Sequence, residues 1–209
     1  MGKPQGVNSA DYWIARYKSG HYSGPGSRGR LAEFKAEVVN AFVAEHQVAS
    51  LIEFGCGDGR QLLLAKYPSY LGLDISPYAL NWCREMFAGD ASKRFALMAD
   101  YAGEVADASL SLDVIYHLME DEVFEQYMQK LFGAARRFVV VYSNNFEQEA
   151  NHHCRPRRFT DWIERHAKDW KLLQHIPNRY PYTGNGWNES DADFYIYANQ
   201  CSHSDARRR

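Results

Sequence analysis

A chain of 209 residues, 45% hydrophobic and 24% charged, has the size and composition of one α/β domain and can bury a core without disulfides or a structural metal. Its formal net charge of −2 gives no global positive field for nucleic acid, and its four scattered cysteines (Cys56, Cys83, Cys154, Cys201) form no CxxC pair, which argues against a zinc site and a disulfide framework. No stretch is apolar for long enough to span a bilayer, and MGKPQGVNSADYW lacks the apolar core of a signal peptide, so a cytoplasmic protein is expected.

In chain order, residues 1–48 read as an N-terminal helical lid or cap. It contains the aromatic run from Tyr12 to Tyr17, a Gly/Ser-rich loop over Ser19–Gly29, and a helix over Arg30–Gln47 with Leu31, Phe34, Val38, Phe42 and Val43 at helical spacing. Residues 49–200 read as the core. Short apolar runs at Ser50–Phe54, Ser69–Asp74, Arg94–Met98, Ser111–Tyr116 and Phe138–Ser143 predict strands. They alternate with predicted helices at Arg60–Lys66, Pro77–Phe87 and Asp121–Leu131, the second announced by an N-capping Ser76 before Pro77. A helix over Phe159–Ala167 and closing strands at Trp170–Ile176 and Asp193–Ala198 follow, the strands separated by a long loop over Pro177–Asp191. Residues 201–209 read as a disordered tail. The expected fold is Rossmann-like: a doubly wound, mostly parallel seven-stranded sheet with an antiparallel C-terminal edge strand.

The segment Leu51-Ile52-Glu53-Phe54-Gly55-Cys56-Gly57-Asp58-Gly59-Arg60 runs from an apolar strand into three alternating glycines. Without a Cβ the backbone can turn sharply and let a ligand lie against the main chain. The second strand, Tyr70-Leu71-Gly72-Leu73-Asp74, ends in a carboxylate fit to accept hydrogen bonds from ribose hydroxyls. A dinucleotide fingerprint requires GxGxxG, whereas the glycines here fall as GxGxG. Glu53 adds a second acid, which suits a cationic ligand better than a pyrophosphate.

The runs EFGCGDGR and LGLDIS resemble motifs I and II of class I S-adenosylmethionine (SAM)-dependent methyltransferases, and the likeness covers about Leu51 to Ser143. The resemblance implies SAM as cofactor. Gly55, Cys56, Gly57 and Gly59, with Glu53, would lie at its methionine part, Asp74 at the ribose and Ile75 beside the adenine. Asp100 would meet the adenine amino group, with Tyr101 stacking nearby. Such enzymes often fold an N-terminal segment over the cofactor, which points to Tyr17, Ser23, Gly24, Ser27 and Arg28 as donors to its carboxylate.

The acceptor side is expected at the carboxyl end of the fourth strand, where DVIYHLMED resembles a bacterial subgroup that includes small-molecule and sugar methyltransferases. His117 is the candidate general base for a hydroxyl acceptor. Tyr116, Asn144, His152, His153, Arg155, Arg158 and Tyr182 are candidate contacts to a sugar, phosphate or carboxylate. No metal site is expected, because the adjacent His152, His153 and Cys154 cannot converge on one ion without an unusual turn. The expected activity is O-methylation of a small polar acceptor such as a sugar or glycan precursor. N- or carboxyl-methylation of a peptide or metabolite is the enzymatic alternative, and a non-catalytic SAM-binding regulator the other. Nucleic acid is not an expected partner, since an NPPY-like signature is absent.

Overall fold

The computed structural model describes residues 8–184 and 186–201. The tail expected at 201–209 therefore lies outside the described residues except for Cys201.

Helices α1 (Ser9–Lys18) and α2 (Gly29–Glu45) precede the sheet. The Asn8 side chain caps α1 by accepting the amide hydrogens of Ala10 and Asp11. The strands are β1 (Leu51–Phe54), β2 (Tyr70–Asp74), β3 (Lys93–Leu97), β4 (Ala106–Leu112), β5 (Ala135–Ser143), β6 (Trp170–Ile176) and β7 (Asp193–Asn199). They form one sheet of order β3-β2-β1-β4-β5-β7-β6, parallel except for β7. The antiparallel strand is thus the last in sequence but inserts between β5 and β6, and β6 forms the rim on that side.

Period-two alternation divides the core. Phe138, Val140 and Tyr142 of β5 face α2, where Phe34, Val39 and Phe42 cover the sheet. Val139 and Val141 face the other way, toward α4 (Asp121–Gly133) and α5 (Phe159–His166) with Phe124, Met128, Phe159 and Trp162. The crossover helix α3 (Pro77–Met86) starts as expected, with Ser76 Oγ accepting from Ala79 N and Pro77 at the first position.

Two elements differ from the sequence reading. The helix expected at Arg60–Lys66 is only a 3₁₀ turn, Gln61–Leu64, with Leu63 and Leu64 exposed. Ala65 is already extended (φ −84°, ψ 143°), and Pro68 keeps Tyr67 from returning to helical backbone. The fourth strand lies at Ala106–Leu112, not Ser111–Tyr116. Its small residues have polar partners inside the core: Ser109 Oγ donates to Leu131 O, and Ser111 Oγ accepts from Tyr127 OH. The extended chain ends at Asp113, whose φ of 61° is left-handed, and Ile115–His117 makes a 3₁₀ turn. His117 therefore sits five residues beyond the end of the strand.

Candidate active site

The carboxyl ends of β1, β2 and β4, roofed by α1 and the loop after it, enclose a cavity of about 610 Å³. Its floor is the turn after β1. Gly57 has φ +57°, and a Cβ there would lie 2.5 Å from Ser23 Oγ and 3.0 Å from Tyr17 Oη. The missing side chain lets the N-terminal segment close onto this turn. The contact is reciprocal: Ser23 N donates to Asp58 Oδ2 (3.1 Å), and Asp58 N donates to Ser23 Oγ (3.1 Å). The Ser23 and Tyr17 hydroxyls are 2.9 Å apart. At its other end α1 is held by Ser9, whose amide and hydroxyl donate to the two oxygens of Glu120.

Asp74 is 5% exposed and accepts Gly57 N–H (2.9 Å) on one oxygen and Ser76 N–H (2.8 Å) on the other. Burial raises its carboxyl to about 6. Each oxygen keeps further acceptor capacity for a ligand hydroxyl. Glu53, behind the turn, accepts the Tyr70 hydroxyl, and burial raises it to about 7. Gly55, Cys56, Ile75, Tyr17, Ser23, Gly24 and Ser27 also line the cavity. These residues fit an adenosyl sulfonium: a bare turn that a Cβ would fill, and a buried carboxylate at the tip of β2 with spare lone pairs.

Four expected cofactor residues lie elsewhere. Gly59 instead lets the turn approach α3, for a Cβ there would meet Cys83 Sγ at 2.9 Å. Asp100 is exposed, and Tyr101 donates to Glu104 O (2.8 Å). Met98, one turn earlier, lines the cavity in their place. Arg28 is exposed and lies over the Tyr22 ring at 3.8 Å, drawn there by the cation–π contact. The arginine that faces the cavity is Arg16. Its Nε donates to Tyr22 O (2.8 Å), and it has no carboxylate partner among the described residues. The helical spacing of Trp13, Arg16 and Tyr17 was the available signal.

Also missed was a buried ion pair. Lys35, 1% exposed, places Nζ 2.5 Å from Asp113 Oδ2, and Tyr116 donates its hydroxyl to Asp113 Oδ1 (3.0 Å). All three residues line the cavity. A lysine occupying the helix register of Leu31 and Val39 was the trace in the sequence.

At the acceptor end, His117 lines the cavity. Its Nδ1 is 3.1 Å from the His153 carbonyl, and since a carbonyl only accepts, the neutral ring protonated at Nδ1 leaves the lone pair on Nε2. Burial lowers His117 to about 4, so the ring is neutral. Trp13 meets it edge-on at 4.8 Å, and the His153 ring stacks beside it at 5.4 Å. Tyr12 stacks on His153 in turn (4.8 Å).

The remaining expected acceptor contacts are not at the cavity wall. Arg155 donates to Met119 O (2.9 Å) and pairs with Asp121 (3.1 Å). With Arg157 it holds the carbonyls of the loop entering α4, which lacks a side-chain cap. Arg158, His152 and Tyr182 are exposed away from the cavity, and Asn144 is buried outside it. The long loop after β6 reaches the cavity through Gly186, Glu189 and Ser190 instead. Among the described residues, His117, His153 and Cys154 bring ligand atoms within 4.8 Å of one another. The group considered from the sequence had His152 where His117 stands.

The family model described as "Methyltransferase domain" matches residues 52–139. Among curated proteins none matches the chain. Solved structures share the fold. The N-methyltransferase NodS from Bradyrhizobium japonicum WM9, with S-adenosyl-L-homocysteine (SAH), aligns at TM-score 0.71 and 12% identity, over 92% of this chain and 99% of that one. Magnesium protoporphyrin IX methyltransferase from Synechocystis PCC 6803, with bound SAM, aligns at 0.66 and 14%, over 94% and 100%. The methyltransferase domain of bacterial CtHen1-C aligns at 0.61 and 18%, over 79% and 96%.

Proposed function

We propose that the chain is a class I SAM-dependent methyltransferase that methylates a hydroxyl group of a small polar acceptor, such as a sugar or glycan precursor; the methyltransferase-domain match and the shared fold support this reading. Bound SAM supplies an electrophilic methyl group on a positively charged sulfur. The backbone of the turn at Gly55–Gly57 would hold its methionine part, Asp74 its ribose, and Ile75 and Met98 its adenine. Arg16 would take its carboxylate by charge-assisted hydrogen bonding. The roof of α1, with Tyr12, Trp13 and Tyr17 lining the cavity, would shield the methyl group and orient the acceptor, and such alignment supplies much of the rate in a displacement reaction.

The observation that carries the hydroxyl assignment is His117, which lines the same cavity as the glycine turn and has its lone pair on Nε2. A hydroxyl must shed its proton as its oxygen attacks, and a positioned neutral imidazole can take it, as a weaker base than a free imidazole because burial lowers it to about 4. The ring is steadied by the His153 carbonyl and by Trp13, so it meets an acceptor without reorganisation.

The test is a panel of sugars and glycan precursors incubated with methyl-labelled SAM. The expected product is an alkali-stable methyl ether, and His117→Ala is expected to lower turnover by about a hundredfold or more with SAH affinity retained. A base-labile methyl ester, or turnover unchanged in His117→Ala, would replace this reading with carboxyl methylation, which needs no base.

A further inference from the structure

Beyond methyl transfer, we propose that His117, His153 and Cys154 form a binding site for a zinc-class divalent transition metal at the acceptor end of the cavity. Two segments far apart in sequence make the site. His117 comes from the turn after β4, and His153 and Cys154 come from the segment between β5 and α5. Their ligand atoms lie within 4.8 Å of one another, and His117 Nδ1 and Cys154 Sγ are 3.4 Å apart; an ion at Nδ1 shifts the ring proton to Nε2 and replaces the hydrogen bond to the His153 carbonyl. Metal–nitrogen and metal–sulfur bonds at tetrahedral angles put such a pair roughly 3.5 Å apart. The widest pair has to close by about an ångström to reach that spacing, an adjustment open to the half-exposed His153 side chain.

The donor chemistry selects the ion. Two imidazoles and a thiolate suit zinc or cobalt, whereas magnesium and calcium require oxygen ligands, of which the cluster has none. Three protein ligands leave a fourth position open, and because His117 and His153 line the cavity, that position faces the acceptor. The surrounding field is mixed, since Asp113 and Arg16 act on His117 with opposite sign. The Cys154 thiol proton passes to buffer as the sulfur–metal bond forms.

The metal site does not depend on His117 being the base, and the two ideas fail separately. The test is a cobalt(II) titration of chelator-stripped protein in a Cys201→Ser background, which removes the exposed thiol. One cobalt ion per chain with a thiolate-to-cobalt charge-transfer band is expected, and zinc should displace it. Cys154→Ser should abolish the band, and His153→Ala should weaken binding by at least about a hundredfold. Absence of the band, or its survival in Cys154→Ser, overturns the site. If a variant folds poorly, alkylation of Cys154 in the unsubstituted protein decides the matter: zinc should slow it, and an unchanged rate overturns the site. Activity is read separately. An ion that takes the His117 lone pair should inhibit transfer, so stimulation by the bound ion would overturn the base role and leave the site standing.

Discussion

Gly57→Ala tests the closure of the N-terminal segment onto the glycine turn. The alanine must adopt φ near +57°, a left-handed conformation that costs an L-residue about 1–2 kcal/mol. Its Cβ would also lie 2.5 Å from Ser23 Oγ, so Ser23 must withdraw. Three hydrogen bonds go with it, to Asp58 Oδ2, Asp58 N and Tyr17 Oη, at about 1 kcal/mol each. The backbone strain falls on the fold, and a domain of this size loses about 2–4 °C in melting temperature per kcal/mol. The lost latch, about 3 kcal/mol, falls on ligand retention, roughly a hundredfold in affinity. Calorimetry with SAH and a thermal melt separate the two. Ser23→Ala alone removes the two bonds made by Oγ and keeps the backbone N–H bond to Asp58, so it should show about two-thirds of the affinity loss, and adding Gly57→Ala should contribute only the remainder. A Gly57→Ala protein that binds SAH within roughly a factor of two of the parent would refute the reasoning.

Three further outcomes follow from the same geometry. Asp74 and Glu53 are raised by burial to about 6 and about 7, so the stability they contribute is full below their unfolded values and lost as pH rises through those points. SAH affinity should run the other way, falling as acid protonates the Asp74 acceptor, and an affinity flat between about pH 5 and 8 contradicts this role. Lys35→Met leaves the Asp113 carboxylate unpaired and should cost about 3–5 kcal/mol in urea unfolding, partly restored by adding Asp113→Asn. If the single and double variants prove equally stable, the pair is not coupled. Arg16→Ala should weaken SAH binding without lowering the melting temperature, whereas Arg157→Ala, buried on Asp121 and the Leu118 and Met119 carbonyls, should do the reverse. Identical behaviour of the two arginines would remove the distinction drawn between them.

The sheet, and the meeting of the glycine turn with the acid of β2 at one cavity, were legible because local chemistry dictates them. Glycines at 55 and 57 and an acid closing the second strand leave few other uses for those residues. The fourth strand was misplaced because Ala106–Leu112 is built of small residues with polar partners in the core, while the more apolar Val114, Ile115 and Tyr116 follow a left-handed break at Asp113. No pattern in a single sequence announces that break. The arginines at 155 and 158 looked like ligand donors because charge is visible in sequence, but its destination is not; the loop carbonyls before α4 claimed Arg155. The pairing of Lys35 with Asp113 spans 78 residues, and only the fold brings them together. His117 was singled out for its place after the fourth strand and does line the cavity, although the strand ends five residues before it.

The most direct measurement is calorimetric titration of SAH into the unsubstituted protein and into Asp74→Ala, both checked by circular dichroism for retained fold. The unsubstituted chain should bind one SAH, and the variant should bind at least about tenfold more weakly, the loss of a charge-assisted hydrogen bond of about 1.5–3 kcal/mol. Equal affinity in the two proteins, or no binding to either, would contradict the assignment of this cavity to the adenosyl cofactor.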